Sequence, residues 1–316
     1  FKPASRVENA CATGSTAVLH GTRAIDAGAA RCVLVVGVEK MTHLPTEEVG
    51  PILLKCLHEP EQADAGTAGF AGVFARVADR YFQENGDQSD ALARIAAKNH
   101  RNGSKNPYAH VQKDLGYDFC RHASDKNPIV AAPLKRTDCS MITDGAAALV
   151  LASDDVARGA KHSVKIRAAN LVSDRLPLID RDILAFEGPR EAWARTLKQA
   201  QMSLDDLDFV ETHDCFTIAE MMEYEAMGLT PKGQGARAIL EGWTEPDGKL
   251  PINPSGGLKA KGHPIGATGV SMHVMTAMQL TGEADAIQVP NARTGGIFNM
   301  GGMAVANYCA ILESSD

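Results

Sequence analysis

The sequence predicts an α/β protein made of two similar halves, and three observations carry that prediction. A unit of glycine-rich turn, helix, turn and apolar strand occurs twice in the 316 residues. When Cys11 is set against Gly266, Ala12-Thr13-Gly14 falls on Ala267-Thr268-Gly269 without a gap. A second pair of small-residue strands, DGAAALVLAS (144–153) and GGMAVANYCAIL (301–312), comes late in each half. Strand-like and helix-like stretches otherwise alternate, the pattern of helices layered on sheets.

The first helix opens at Cys11 and continues through Val18 and Ile25 to the turn DAGAAR (26–31), which leads into the apolar run CVLVVG (32–37). Residues 46–125 interrupt the pattern. GVFARVADRYFQENG (72–86) carries Val73, Val77 and Tyr81 at helical spacing with Gly86 as its stop, and DALARIAAKNHRNG (90–103) is a second capped helix. KNPYAHVQKDLGYD (105–118) reads as loop. This block behaves as an inserted lid or loop domain, leaving 1–45 and 126–154 as the first half and 155–316 as the second. In the second half KIRAANLVSD (165–174) is a strand and GPREAWARTLKQAQM (188–202) a helix. LDFVETHDCF (207–216) is a strand running into a turn, and TIAEMMEYEAMGL (217–229) is the helix after it. The second copy of the repeat then passes through His273 and Leu280 to the turn TGEADA (281–286) and a predicted strand at IQVP (287–290).

Composition narrows the function. Hydrophobic residues make up 44% of the chain, enough for a substantial core. Aromatics are only 5% and the net charge is −7 with no basic stripe, which argues against a nucleic-acid partner. No apolar run approaches the roughly 18 residues of a membrane span. The seven cysteines, at 11, 32, 56, 120, 139, 215 and 309, are odd in number and contain no CxxC pair. That favours free thiols in a reducing, cytoplasmic setting over a disulfide or zinc framework. His43, His58, His100, His110, His122 and His162 show no ligand spacing, so no metal is expected. Residue 1 is Phe, and FKPASRVENA reads as if the beginning of the chain had been removed.

Three polar clusters are candidates for chemistry. Cys11 stands at a helix start, where the helix dipole favours a thiolate and lowers the thiol pKa. His213-Asp214-Cys215-Phe216 ends an apolar strand, where sites of open α/β sheets lie. His263 sits in GGLKAKGHPIGATG (256–269), just before a helix. Singly, each is compatible with packing or a turn. Together they supply a nucleophile, a base for it in His263, a second acid/base in Cys215, and N–H groups of His213 and His263 for an oxyanion. The repeat makes the helix starts after Cys11 and His263 equivalent, so both can face one site.

VENACATGS (7–15), HDCF (213–216) and NPSGGLKAKGHPIGATG (253–269) resemble the thiolases, and within them the sterol-carrier-protein type. The resemblance covers essentially the whole chain, in order. It implies a five-layered αβαβα fold of two pseudo-repeated halves with an inserted loop domain, and a homodimer or homotetramer. It implies acyl transfer between coenzyme A and a 3-ketoacyl chain, with coenzyme A as substrate and no cofactor. Cys11 would be the acylated nucleophile, His263 its activator and Cys215 the acid/base at the α-carbon. His213 and His263 would hold the enolate oxygen, and the N–H of Cys11 with a glycine near Gly301 a second oxyanion. Ser255, Gly256, Lys259 and Phe216 are the expected substrate contacts, and Lys259 and Lys261 could face the phosphates of coenzyme A. Many thiolases carry a second cysteine in a C-terminal Cys-x-Gly motif; here Asn299 of FNMGGMA stands in that place. The strands that precede the nucleophile in the family are absent, which predicts open sheet edges and exposed apolar faces. Two other readings keep the fold: an aldolase acting on sterol-type CoA esters, which needs no acyl-cysteine, and a non-catalytic acyl-CoA binder.

Overall fold

In the computed structural model, which describes residues 2–315, the two repeats meet through their helices. Helix α1 spans Thr13–Asp26 and strand β1 Cys32–Glu39. Helices α2 (Thr46–Leu54), α3 (Phe70–Asn85) and α4 (Ser89–Gly103) follow, and β2 (Gly145–Ala152) returns to β1. The second half contains β3 (Val164–Ser173), α5 (Glu187–Ala200), β4 (Phe209–Glu211), α6 (Thr217–Ala226) and α7 (Gly257–Lys261). It ends with α8 (Ile265–Leu280), β5 (Thr294–Gly301) and β6 (Ala306–Ser314).

β1 and β2 pair antiparallel, with Val35 opposite Leu149. The larger sheet has the order β3-β6-β5-β4, antiparallel except for the parallel β5–β4 pair. Helices α1 and α8 fill the space between the two sheets, and α5 covers the outer face of β3 and β6. No described helix is long and apolar enough to cross a membrane.

The two sheets differ as their sequences do. β5 and β6 are buried on both faces, so Ile297, Phe298, Met300, Tyr308, Cys309 and Ile311 are all inaccessible. Their near-continuous apolar run fits a doubly covered sheet. Each such large apolar side chain contributes about 1.5–3 kcal/mol by leaving water. β1 instead alternates. Val35 and Gly37 face α1 and α8, while Leu34, Val36 and Val38 point outward, at 66%, 56% and 66% exposure. With Val150 of β2 they form an exposed apolar face.

The small residues after Cys11 are explained by packing. Gly14 of α1 and its repeat counterpart Gly269 of α8 lie in the contact between the two helices. A Cβ on Gly269 would stand 2.1 Å from the Ser15 nitrogen, and one on Gly14 would stand 2.7 Å from the Val270 nitrogen. Only hydrogen at both positions lets the helix starts come this close, which brings the residues just before them into one site.

One predicted strand does not form. IQVP begins inside a 3-10 turn, Asp285–Ile287, and pairs with no described strand. The Gln279 side chain takes the backbone groups that a partner strand would have used: its Nε2 donates to Ile287 O (2.6 Å) and its Oε1 accepts from Val289 N (2.7 Å).

Candidate active site

Cys11 lies just before α1, at a helix start built by its own sequence. Thr13 Oγ1 donates to Ala10 O (2.6 Å) and accepts from Asn9 N (2.8 Å), while Asn9 Nδ2 donates to Thr16 Oγ1 (3.0 Å). Ala10 is pushed to φ 47°, the left-handed region, by this tight entry. His263 precedes α8. Its N–H donates to Thr143 Oγ1 (2.8 Å), and Glu39 of β1 accepts from Gly266 N (3.0 Å) at the α8 N-terminus. His213 and Cys215 follow β4, and the Cys215 carbonyl accepts from Ser140 N (2.8 Å). Asn299 and Gly301 end β5.

These segments converge. One donor atom each from Cys11, His213 and His263 lies within 4.8 Å of the others. The two imidazoles meet edge to face, 5.1 Å between centroids at 82°. Their hydrogen bonds place them in opposite tautomers. Asn299 Nδ2 donates to His213 Nδ1 (2.8 Å), so the His213 proton sits on Nε2 and makes that atom a donor. The Thr268 hydroxyl donates to Pro264 O (3.0 Å), so its oxygen accepts from His263 Nδ1–H (2.8 Å) and leaves the Nε2 lone pair free. One histidine is set as a base, the other as an oxyanion donor. Asn299 is held in turn, donating to Cys11 O (3.1 Å) and accepting from Ser15 Oγ (2.8 Å).

The electrostatics correct one expectation. Burial pushes the Cys11 thiol up to about 12, with Cys56 adding to the rise. The N–H groups of Gly302 and of Cys11 itself point at the sulfur and pull the other way, but the helix start does not outweigh desolvation. Burial also lifts Cys215 well above the ordinary thiol range, and a nearby Cys11 thiolate would add to this. It drives His213 well below its usual value and His263 down to about 3, with His263 and Lys261 as the respective secondary causes. The resting centre is therefore neutral throughout.

Behind the centre lies a buried polar scaffold that joins α4 to the HDCF turn. Lys98 Nζ donates to Glu220 Oε1 (2.6 Å) and Ile252 O (3.0 Å); Asn99 Nδ2 bridges Asp214 Oδ2 (2.8 Å) and Glu220 Oε2 (2.6 Å). Asp214 also accepts from Leu258 N (2.6 Å). Glu223 accepts from the Thr212 hydroxyl and from His213 N (3.1 Å). Removing one partner from such a buried pair costs about 3–5 kcal/mol.

The residues expected to contact substrate are held by bonds and packing within the chain. Ser255 is buried and donates through both N and Oγ to Glu211 (3.0 and 2.6 Å). Gly256, at φ +93°, packs its backbone on Gly103 of α4. Phe216 is buried in a stack with Phe74 (4.3 Å). Lys259 is buried and donates to Cys139 O (2.6 Å), and Lys261 is buried beside Ser271 (3.2 Å). At the sulfur, the N–H comes from Gly302, one residue beyond the expected Gly301. Sequence reasoning missed Thr268 and Gly302, and noted Asn299 only as a missing cysteine. The Gly301-Gly302 pair after an apolar strand was the available signal for the second.

The fold and this centre define a thiolase-type α/β protein, and comparison with known proteins agrees. The thiolase N-terminal domain matches residues 2–117 and the family described as thiolase C-terminal domain-like matches residues 172–314. An acetyl-CoA acetyltransferase of Methanothermobacter thermautotrophicus is 38% identical over 304 residues, 95% of this chain and 77% of that protein. Sterol carrier protein 2 of Oryctolagus cuniculus is 32% identical over 95% of this chain, which spans 56% of that protein's length. Among solved structures, an Ltp2-ChsH2(DUF35) aldolase superposes with a TM-score of 0.81 at 21% identity, over 97% of this chain and 78% of that one. The chain belongs to the thiolase family.

Proposed function

We propose that the chain transfers acyl groups between coenzyme A and Cys11, cleaving a 3-ketoacyl-CoA to acetyl-CoA and a shortened acyl-CoA, or running the reverse Claisen condensation. The observation that carries this reading is the pair of oppositely set histidines converging on Cys11. The acetyl-CoA acetyltransferase relative supports the same reaction class.

His263 Nε2 takes the Cys11 proton as the sulfur attacks the 3-keto carbon. Because burial disfavours a lone thiolate and a lone imidazolium alike, the proton moves with the attack rather than before it. The N–H groups of Cys11 and Gly302 receive the tetrahedral oxyanion. The bond between C2 and C3 breaks, leaving an acyl group on Cys11 and an enolate whose oxygen faces His213 Nε2–H and the new His263 Nε2–H. Cys215, a thiol at neutral pH, protonates C2 and releases acetyl-CoA. The Cys215 thiolate then takes the proton of a second coenzyme A thiol, which attacks the acyl group. Cys11 leaves and recovers its proton from His263. The reading brings with it coenzyme A as substrate and a homodimer or homotetramer as the assembly.

The test is intact-protein mass spectrometry after mixing with acetoacetyl-CoA, followed by peptide mapping. An acetyl group on Cys11 is expected. Turnover of a CoA ester without any acyl-enzyme would replace this reading with the aldolase type. Saturable binding of acyl-CoA by folded protein, with neither adduct nor turnover, would replace it with a non-catalytic binder.

A further inference from the structure

We infer that Cys11, His213 and His263 also form a binding site for Zn²⁺, and that an ion held there takes the nucleophile out of use. The binding half of this inference stands on the side chains alone; the loss of activity rests on the acyl-transfer reading.

The donor set is one thiol and two imidazoles, a soft-to-borderline combination that selects zinc over magnesium or calcium. The three donor atoms already lie within 4.8 Å of one another. In a tetrahedral site with Zn–N of about 2.0–2.1 Å and Zn–S of about 2.3 Å, donors stand roughly 3.3–3.6 Å apart. Closing that gap needs side-chain rotation of about an ångström. Cys11 is half-buried while both histidines are buried, so the three side chains supply three ligands and the fourth position is left to water. On binding, the Zn–S bond forms as the Cys11 S–H bond breaks, and one proton leaves for the buffer.

The surroundings treat the two histidines differently. His263 is ready: its Nδ1–H already donates to Thr268 Oγ1, the outer-shell bond that fixes a metal-ligating imidazole, and its Nε2 is free. His213 is not. Asn299 Nδ2 donates to its Nδ1 and keeps the proton on Nε2. To bind, His213 must move that proton to Nδ1 while the Asn299 amide turns, giving up its bond to Cys11 O. Asn299 therefore weakens the site in the same act that makes His213 an oxyanion donor. An aspartate in its place would accept from Nδ1–H and build a carboxylate–histidine–metal triad.

The experiment titrates the metal-free full chain with Zn²⁺ alone by calorimetry in buffers of different ionisation enthalpy, with Co²⁺ absorption as the reporter of a thiolate–metal bond. One site per chain is expected, with about one proton released and a sulfur-to-cobalt charge-transfer band. Asn299→Asp should tighten binding about 10–100-fold. Cys11→Ser, and wild-type protein alkylated at Cys11, should both lose the band and at least tenfold in affinity. Thiolysis should fall as the site fills and return with a chelator. Unchanged zinc affinity after alkylation of Cys11, or a cobalt spectrum with no thiolate band, would overturn the inference. If the chain proves inactive towards acetoacetyl-CoA, the acyl-transfer reading fails, while the calorimetry and the cobalt band still decide the site.

Discussion

The starts of α1 and α8 are copies of one backbone device, yet one presents a nucleophile and the other a base. Gly14 and Gly269 occupy equivalent positions and pack into the same contact, although α8 begins at Ile265, three residues earlier in the repeat frame than α1 at Thr13. What precedes each helix differs. At α1 the Asn9–Thr13–Thr16 bonds turn the chain so that Cys11 stands beside the Gly302 N–H. At α8 the equivalent of Cys11 is Gly266, whose N–H is taken by Glu39, and the functional group has moved three residues back to His263. Duplication thus supplied two facing helix ends, and the neighbours of each end supplied its chemistry.

The severest break in that comparison is Cys11→Ala, which removes the nucleophile and leaves the base. Acyl transfer should fall on the order of 10³-fold or more, with no adduct in the mass spectrum. Full activity in this variant would sink the mechanism. Cys215→Ala separates the two thiols: acetylation of Cys11 from acetyl-CoA should continue at a reduced rate, since the coenzyme A thiolate loses its proton donor, while net thiolysis of acetoacetyl-CoA stops, as measured by product analysis.

Next comes the tautomer of each histidine. Thr268→Val removes the acceptor for His263 Nδ1–H, and Asn299→Ala removes the donor to His213 Nδ1. Each should lower kcat about 10–100-fold. Thr268→Val should slow Cys11 acylation from acetyl-CoA and from acetoacetyl-CoA alike, whereas Asn299→Ala should mainly slow acylation from acetoacetyl-CoA, the one that forms an enolate. Single-turnover acylation from the two esters tells them apart, and equal losses with both esters for both variants would remove the assignment of opposite roles.

Much of this was legible in the sequence because it is local. The helices at 72–86 and 90–103 announce themselves by apolar spacing and glycine stops, and the structure gives Phe70–Asn85 and Ser89–Gly103. The three polar clusters were visible for the same reason. What was not legible depends on distant partners. Lys259 looks solvated on a glycine-rich loop, but its ammonium is taken by the Cys139 carbonyl. IQVP looks like a strand until Gln279 claims its backbone. The thiol pKa of Cys11 was misjudged in sign because a helix start is written in the sequence, while the burial that overrides it, and the Cys56 thiol that adds to it, come from segments brought together only by the fold.

The helix contact itself is tested more gently. Gly269→Ala places a Cβ 2.1 Å from Ser15 N and 2.7 Å from Asn299 Oδ1, with backbone on the first side that has no room to give. Overpacking of this kind costs about 1–3 kcal/mol, read as a lower urea midpoint at unchanged slope. Because the clash reaches Asn299, activity should fall more than the loss of folded protein explains. A loss of stability with normal kcat in the folded fraction would show that the two helix starts tolerate separation.

The smallest effect separates the two readings of Cys11 most finely. If the helix start lowered its pKa, alkylation of the free enzyme by iodoacetamide would level off near neutral pH. With the thiol raised to about 12 by burial, the thiolate share grows as pH rises and is still a small fraction at neutrality. The Cys11-specific rate, followed by peptide mapping, should then climb about tenfold per pH unit from about pH 7 to about pH 10 without a plateau. His263→Ala should leave that slope almost unchanged, because in the resting centre the imidazole is neutral and holds no thiolate in place. A plateau that vanished in His263→Ala would mean the opposite: a preformed thiolate–imidazolium pair, and two helix starts that exchange their proton before the substrate arrives.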